Sequence, residues 1–397
     1  TRDRVNKHKI TNILVESYHS FTVKHYDKNG HTDTVIEQVI TSNAKPLDKF
    51  KFDILIIDEI QDIQPIYYTV INKIIANNRS NYSPRIVIFG DRNQCIYNFK
   101  LADARYLTLA HNIFNFNSLQ WRSKSISCSF RINAQMADFI NNCMLKTNRL
   151  TANKSGVKPI YLITNLYAGT TSTCKACDKP SFKCPIHGKD HLYSKPDKYT
   201  CSACDKTMPY DICQIPEHGK KFICKKNKKS DLFNLVESYI KRGYTAGDIF
   251  IIAPTVQAKR APPITIANFI TEHITKDNKK YPIYVPASDN DIRPSDEVTN
   301  GKIIFSTYHQ AKGLERKIVI VMGFDASYYQ YYGKNETKVS CPNIFYVAAT
   351  RATEHLVLVH HHINDYLPFD IVDSNKTNSF KEILQFIVSG PPKINLF

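Results

Sequence analysis

Six short apolar runs constrain the fold of this chain more than any other feature of its sequence. They occupy residues 51–58, 85–91, 248–253, 302–307, 317–322 and 355–360. Runs that are apolar almost throughout are typical of parallel strands buried on both faces. Segments with helical spacing of apolar residues alternate with them, at 64–76, 134–144, 232–242 and 264–274. This alternation predicts βαβ units on parallel sheets, and therefore an α/β fold.

The length and charge of the chain favour a two-domain protein with a polyanionic partner. The chain has 397 residues, enough for two domains with ordinary cores, and a formal net charge of +17 with a pI of about 9.2. A basic excess of this size favours a polyanionic partner, although a lysine-rich surface without a partner remains open. No stretch approaches the roughly 18 apolar residues of a membrane span, so we expect no membrane association.

A cysteine-rich segment at residues 171–229 contains an internal repeat, Cys-x₂-Cys followed by Cys and His. Each copy supplies four ligands suited to tetrahedral Zn²⁺. The predicted ligands are Cys174, Cys177, Cys184 and His187 in the first copy, and Cys201, Cys204, Cys213 and His218 in the second. The simplest interpretation is two structural zinc ions. A cross-braced pairing, or one that uses Cys224 or His191, remains open.

Four further segments combine polar residues with the ends of the apolar runs. They are Ile57-Asp58-Glu59-Ile60-Gln61-Asp62, Gly90-Asp91-Arg92-Asn93-Gln94, Ser306-Thr307-Tyr308-His309-Gln310-Ala311-Lys312-Gly313-Leu314-Glu315 and Tyr346-Val347-Ala348-Ala349-Thr350-Arg351-Ala352. In open α/β sheets, ligands bind at the carboxyl ends of strands, which is where these residues fall.

In this order, the four segments resemble motifs II, III, V and VI of the UvrD/Rep class of superfamily 1 DNA helicases. Ser129-Phe130-Arg131-Ile132-Asn133 resembles motif IV, with Phe130 and Ile132 departing from the usual Tyr-Arg-Ser. Ser17-Tyr18-His19-Ser20-Phe21 resembles the motif just downstream of Ia.

The resemblance implies two RecA-like parallel-sheet domains. We expect the first at residues 1–156, truncated at its N-terminus and holding motifs Ib/Ic to IV. The second is expected at 157–397, holding motifs V and VI, with the zinc-binding insert inside it. The sequence contains no Gly-x-x-x-x-Gly-Lys-Ser/Thr phosphate loop. We expect the loop to lie in a lost part a few tens of residues upstream, and we expect little ATP hydrolysis by these 397 residues alone.

The resemblance also implies roles for the nucleotide-binding residues. Asp58 would hold Mg²⁺, Glu59 would activate the attacking water, and Gln94 would contact the γ-phosphate. Arg131 and Arg351 would stabilise the charge of the transition state. Gly313 would let the backbone approach the nucleotide closely, and Glu315 would hydrogen-bond its ribose.

Residues for DNA binding follow from the same comparison. Tyr97 and Phe99 would stack on bases of a single strand, although two aromatic residues at this spacing could also be core. Further contacts to the strand are expected from His19 and Ser20 in the first domain, and from Thr307 and His309 in the second.

Together these expectations describe an ATP-dependent DNA helicase or translocase, moving 3′ to 5′ on single-stranded DNA. It would use ATP, Mg²⁺ and Zn²⁺, bind single-stranded and forked DNA, and contact replication or repair proteins through the insert. Grouped cysteines indicate a reducing intracellular compartment, whether cytoplasm, nucleus or viral replication compartment. AT-rich coding hints at a large DNA virus. The alternative is a non-catalytic, zinc-containing nucleic-acid-binding protein derived from a helicase that lost its phosphate loop.

Overall fold

Short segments of mostly apolar sequence form the main strands of both units of this chain. The computed structural model describes residues 5, 8–79, 84–115, 120–166, 199–200, 207–208, 231–257, 262–276, 279–289, 295–367 and 382–388. The chain divides into an N-terminal unit, Thr1–Ile126, and a C-terminal unit, Ser127–Phe397. Each unit is described separately below.

The N-terminal unit is built around a pair of parallel strands, β1 (Ile54–Ile57) and β2 (Arg85–Ile88). Its helices are α1 (Tyr18–His25), α2 (Asp33–Thr41), α3 (Pro65–Asn77), α4 (Arg105–Thr108) and α5 (Ala110–Ile113). Helix α3 is the crossover between the two strands. It begins with proline, which fits a first helical position because no intrahelical partner exists there for its missing N–H.

Two apolar clusters hold this unit together. One places Ile71 of α3 against Ile57, Ile60 and Phe114. Helices α2 and α3 share the other, which also includes Phe50. Since α3 contributes to both clusters, it fixes the carboxyl ends of β1 and β2 relative to the rest of the unit.

The C-terminal unit contains a seven-stranded sheet. Its strands are β5 (Ile160–Thr164), β8 (Ile249–Ala253), β11 (Ile283–Tyr284), β12 (Ile303–Thr307), β13 (Arg316–Met322), β14 (Ala352–His361) and β15 (Gln385–Val388). Their order is β11-β12-β8-β13-β14-β5-β15, and every neighbouring pair is parallel. The central strands β8 and β13 are therefore bordered by strands that come from distant parts of the sequence.

Three smaller strand pairs complete the strands of this unit. A parallel pair consists of β3 (Cys128–Ser129) and β4 (Thr151–Ala152). The antiparallel pairs are β6 (Tyr199–Thr200) with β7 (Thr207–Met208), and β9 (Thr275–Lys276) with β10 (Lys279–Lys280).

Helices cover the large sheet on both faces. They are α6 (Ala134–Phe139), α7 (Asp231–Lys241), α8 (Pro262–His273), α9 (Asp296–Thr299), α10 (Ser327–Tyr331) and α11 (Asn343–Ala349). Helices α7 and α8 pack on one face, against alternating strand residues such as Ile251 and Phe305. Phe345 of α11 contacts Tyr308 and Phe324 elsewhere in the core. Cover on both faces explains why β8 and β12 are apolar at nearly every position.

All six strands predicted from apolar runs are present, and the α/β class is confirmed. The expected burial on both faces was wrong for β1 and β2, which alternate exposed residues with more buried ones. The predicted helices are also present. The helix expected at 134–144 is α-helical up to Phe139 and continues as a π-helix from Ile140 to Leu145. His360 and His361, at the end of β14, are buried.

The boundary between the units lies after Ile126 rather than at the predicted Gly156. Residues 127–156 belong to the C-terminal unit because they bond to its sheet. Asn133 Nδ2 donates to the Glu354 carbonyl oxygen at 3.3 Å, and Lys154 Nζ donates to the Thr353 carbonyl oxygen at 2.8 Å. Motif IV is therefore part of the same unit as motifs V and VI.

The helices of both units are short. Across the described ranges, no helix has both the length and the apolar character needed to cross a membrane.

Candidate functional site

Asp58 and Glu59 follow directly after β1, at the carboxyl edge of the strand pair. Both side chains are exposed. The Glu59 backbone is left-handed, with φ 54° and ψ 39°, and its N–H donates to Asp58 Oδ1 at 3.1 Å. This conformation is uncommon for a residue with a side chain and occurs often at functional turns. The edge therefore presents two adjacent carboxylates, the donor type that Mg²⁺ prefers.

The loop after β2 lies against this carboxylate pair. Gln61 Nε2 donates to Glu59 Oε2 at 2.6 Å, while Gln61 Oε1 accepts the backbone N–H of Asp91 at 3.0 Å. Asp91 in turn accepts the N–H of Asn93 at 3.0 Å and lies 3.4 Å from Gln94 Nε2. The structure thus brings Glu59 and Gln94, both predicted site residues, into one hydrogen-bonded chain.

An aromatic surface, formed by Tyr97 and Phe99, follows Gln94. The two ring centroids lie 6.1 Å apart, and Phe99 is 66% exposed. Lys100 Nζ lies 5.8 Å from the Tyr97 ring and 5.9 Å from the Phe99 ring. Exposed rings beside a cation are suited to bases and phosphates of a single strand. The alternative interpretation of Phe99 as core does not fit its exposure.

His19 and Ser20 lie on α1 and are engaged within the N-terminal unit. His19 Nε2 is 2.9 Å from Asp33 Oδ1, which also accepts the Tyr67 hydroxyl at 2.7 Å. The Ser20 hydroxyl donates to Glu16. A DNA phosphate that bound His19 and Ser20 would have to displace the carboxylates of Asp33 and Glu16.

Tyr67 also stacks on Tyr18, with ring centroids 4.6 Å apart. Burial raises the pKa of Tyr18 to about 12, so its hydroxyl is neutral at physiological pH. This stacked pair fixes α1 against α3.

In the C-terminal unit, Arg131 joins the segments that resemble motifs IV, V and VI. Its Nε donates to Glu315 Oε2 at 2.6 Å, and its Nη1 donates to the Thr350 carbonyl oxygen at 3.4 Å. The Arg131 and Glu315 side chains are partly exposed, at 35% and 45%. A pair of this exposure contributes only about 0.2–1 kcal/mol, so a stronger anionic partner can displace it.

Arg351 points into the protein. It is 2% exposed, its Nε donates to the Val347 carbonyl oxygen at 2.8 Å, and its Nη2 donates to the Thr350 hydroxyl at 3.0 Å. Its charge therefore lies at the carboxyl end of α11, where carbonyl oxygens favour a cation. In this arrangement the guanidinium is directed away from solvent.

The turn after β12 holds the other predicted residues. Thr307 is buried, and its hydroxyl accepts the Gln310 N–H at 3.4 Å, whereas His309 is half-buried. Gly313 has φ 82°, a left-handed conformation that glycine adopts without strain. The backbone at Gly313 therefore requires a residue without a side chain, whereas the predicted approach to a nucleotide stays a prediction.

The eight predicted zinc ligands, from Cys174 to His218, lie outside the described residues. Strands β6 and β7 flank residues 201–206, the stretch that contains Cys201 and Cys204. Among the residues that the structure does describe, no group of three or more His, Cys, Asp or Glu is placed to hold a metal ion.

Comparison with known families relates the chain to DNA helicases. Residues 41–115, which include Asp58, Glu59 and Gln94, match the UvrD/REP helicase N-terminal domain. Residues 258–362, which include Glu315 and Arg351, match the UvrD-like helicase C-terminal domain. Two separate stretches of the chain thus match the two domains of UvrD/Rep-type helicases. The resemblance inferred from the motifs is therefore confirmed.

Individual relatives share only part of the chain or little of its sequence. An ATP-dependent helicase/nuclease from Latilactobacillus sakei subsp. sakei (strain 23K) is 31% identical over 108 residues, which are 27% of this chain and 12% of that protein. A structure of the C-terminal domain of a possible DNA helicase from Lactobacillus plantarum WCFS1 is 15% identical. It covers 65% of this chain and 98% of that one, with a TM-score of 0.32. At that score the match adds nothing to the assignment.

Two residues of this UvrD/Rep-type chain are part of the site although no motif assigned them a role. Gln61 joins the carboxylate edge to the loop after β2, and Asp33 holds His19. Gln61 could have been noticed as a long polar residue directly after the apolar Ile60, just beyond a strand. Asp33 carries no such signal, since its partners are distant in sequence.

Proposed function

We propose that this UvrD/Rep-type chain is the core of an ATP-dependent DNA helicase or translocase that moves 3′ to 5′ on single-stranded DNA. One observation carries the proposal. The Glu59 carboxylate is connected through Gln61 and Asp91 to Gln94, and the aromatic surface follows directly. Such a connection can couple nucleotide chemistry to contact with DNA bases. The matches to the two helicase domains support the same conclusion.

Hydrolysis of ATP would use the carboxylate edge of the N-terminal unit. Asp58 would hold Mg²⁺, whose charge helps to neutralise the phosphates. Glu59 would accept a proton from the water that attacks the γ-phosphorus, with ADP as the leaving group. Gln94 would contact the γ-phosphate. The exposure of both carboxylates fits these roles, since substrate and water must reach them.

The C-terminal unit would contribute positive charge and nucleotide contacts. Arg131 and Arg351 would stabilise the transferred phosphoryl group, Gly313 would bring the backbone near the nucleotide, and Glu315 would bind the ribose. Arg131 would have to leave Glu315, and Arg351 would have to leave the end of α11. New hydrogen bonds from the two arginines to phosphate would compensate for the bonds that they lose, because charge-assisted hydrogen bonds to phosphate are strong.

DNA binding would rest on both units and on the net charge of +17. Tyr97 and Phe99 would stack on bases, with His19, Ser20 and His309 near the backbone. Thr307, being buried, would act by capping the turn that carries His309. Single-stranded and forked DNA are the expected substrates.

The insert at 171–229 would bind two structural zinc ions and serve as a duplex or protein contact. Its repeated Cys-x₂-Cys and Cys…His spacing supports this, and the β6–β7 pair flanks one Cys-x₂-Cys. Zinc would supply much of the folding energy of so polar a segment. Proteins of replication or repair in an intracellular compartment are the proposed partners.

The experiment that tests the DNA-binding proposal replaces the aromatic surface. We expect Tyr97→Ala with Phe99→Ala to weaken binding to a fluorescent oligothymidine by about 1–3 kcal/mol per lost stacking contact. Tyr331→Ala, which removes another exposed aromatic residue in α10, is the matched control and should bind as wild type does. Equal affinities for all three proteins would contradict the assigned stacking role.

A further inference from the structure

Gln61 is a fully buried polar side chain at the centre of the carboxylate edge. It lies in the short turn Ile60–Asp62 and is 0% exposed. Its amide bonds to two segments proposed to act on ATP, through Glu59 Oε2 at 2.6 Å and the Asp91 N–H at 3.0 Å. A buried amide without partners is costly, so these two bonds determine where the side chain sits.

The orientation of this amide follows from its partners. The backbone N–H of Asp91 can only donate, so the atom facing it must be the Gln61 oxygen. The nitrogen then faces the Glu59 carboxylate, which accepts in its ionised form. Only this assignment satisfies both bonds, and neither a carboxylate nor an apolar side chain of the same length could replace it.

The surroundings of Gln61 leave it no alternative position. A Cβ added at Gly90 would lie 2.6 Å from Gln61 Oε1, so the loop approaches the amide as closely as a glycine allows. A backbone hydrogen bond joins the same two segments, since the Ile60 N–H donates to the Phe89 carbonyl oxygen at 3.1 Å. The two segments therefore share a side-chain link and a main-chain link.

From Asp91 the connection continues toward the aromatic surface. Asp91 caps the turn Arg92–Gln94, and its Oδ2 lies 3.4 Å from Gln94 Nε2. A displacement of this turn, caused by a base at the aromatic surface or by a phosphate at Gln94, would move the Asp91 N–H. Gln61 would follow, and so would the Glu59 carboxylate.

We propose that Gln61 is a positioning residue that aims the Glu59 carboxylate and makes its placement depend on the loop 90–94. The inference rests on the proposed function and deepens it, because it names the group through which DNA contact regulates hydrolysis. Gln61 itself touches no reacting atom. Its effect is on where Glu59 stands when the attacking water is bound.

The test compares two substitutions of Gln61 with one of Gln64 in the full gene product. Gln61→Met keeps the volume and removes both polar bonds, whereas Gln61→Glu keeps an acceptor for the Asp91 N–H and loses the donor to Glu59. Gln64→Met is the matched control, because Gln64 precedes α3 and its side chain makes no capping bond to that helix. Circular dichroism first establishes that each variant is folded.

Two readouts separate positioning from packing. Amide hydrogen exchange should be faster at Asp91 in Gln61→Met, and close to wild type in Gln61→Glu and Gln64→Met. Both Gln61 variants should lower the kcat for DNA-stimulated ATP hydrolysis by about tenfold to a hundredfold, because a carboxylate misplaced by about 1 Å loses that much. The KM for ATP should change by less than about twofold, since binding is left intact.

Unchanged kcat in both Gln61 variants would overturn the positioning role, as would slower rates accompanied by an equal rise in KM. A wild-type protein that does not hydrolyse ATP would instead refute the proposed function, and with it the catalytic consequence of Gln61. The exchange rate at Asp91 would still decide the physical link. Unchanged exchange in Gln61→Met would reject that link.

Discussion

His25 lies in the core of the N-terminal unit, and neither of its ring nitrogens has a hydrogen-bond partner. Its ring contacts Phe21 and Phe50, at centroid distances of 4.5 and 5.1 Å. Burial lowers the pKa of His25, and the charge of Lys24 lowers it further. Asp48 and Glu16 act in the opposite direction with smaller effect. The folded protein therefore holds this imidazole neutral.

The stability of the N-terminal unit should depend on pH through His25. Because its pKa is lower in the folded than in the unfolded chain, the unfolded state binds the proton more readily. Stability is then fully present above about pH 6.5 and declines as the pH falls toward the folded pKa. We expect His25→Leu to reduce this decline in urea unfolding followed from about pH 7.5 to about pH 5.5.

His111→Leu is the matched control, since His111 is exposed in the same unit. It should leave the pH dependence of the unfolding free energy as in wild type. If His25→Leu retained the full pH dependence, the burial of a neutral imidazole would not be its source.

Individual site residues were predictable to the extent that their place in the chain fixes their place in the fold. Asp58 and Glu59 follow a strand that the apolar run predicts, so an exposed position at its carboxyl edge could be expected. The inward orientation of Arg351 could not, because it depends on carbonyl oxygens left at the end of α11. Likewise, the partner that holds His19 is set by the packing of α1 on α2.

At the scale of elements, apolar runs located β1, β2, β8, β12, β13 and β14, but missed β5 inside the large sheet. Strands β8, β12 and β13 were identified within a residue or two of their bounds. Strands β11 and β15 at the sheet edges are short, with two and four residues, and partly exposed, and the sequence did not predict them. The unit boundary was also missed, because hydrogen bonds from Asn133 and Lys154 to β14 are not visible in a sequence.

The zinc content of the insert at 171–229 can be predicted. We expect elemental analysis of the purified protein to find about two zinc ions per chain, one for each Cys-x₂-Cys repeat. Cys174→Ser with Cys177→Ser should remove one ion, and Cys201→Ser with Cys204→Ser should remove the other. Their sulfur ligands cannot be replaced by hydroxyls without loss of zinc affinity.

Cys128→Ser provides the control, since Cys128 is a free cysteine in β3. It should keep the full zinc content. Loss of both ions from either double variant would contradict two independent sites, one per repeat, whereas a wild-type chain without zinc would exclude the metal site altogether.

At the scale of the whole molecule, the two units carry complementary parts of the proposed machinery. The N-terminal unit holds the carboxylates and the aromatic surface, and the C-terminal unit holds the arginines, Gly313 and Glu315. The basic charge of +17 implies that DNA affinity falls steeply with salt, because bound phosphates release counterions. Retention of every proposed hydrolysis residue argues against a protein that only binds nucleic acid.

The most direct measurement of the central claim is ATP hydrolysis by the full gene product, with and without single-stranded DNA, in wild-type and Glu59→Gln form. Hydrolysis should be stimulated by DNA, and the substitution should lower kcat by about 10²–10⁴, as expected for loss of a general base. DNA binding should be unchanged, since Glu59 lies outside the aromatic surface. An absence of hydrolysis in the wild type, or equal rates in both proteins, would contradict the account and favour a non-catalytic nucleic-acid-binding protein.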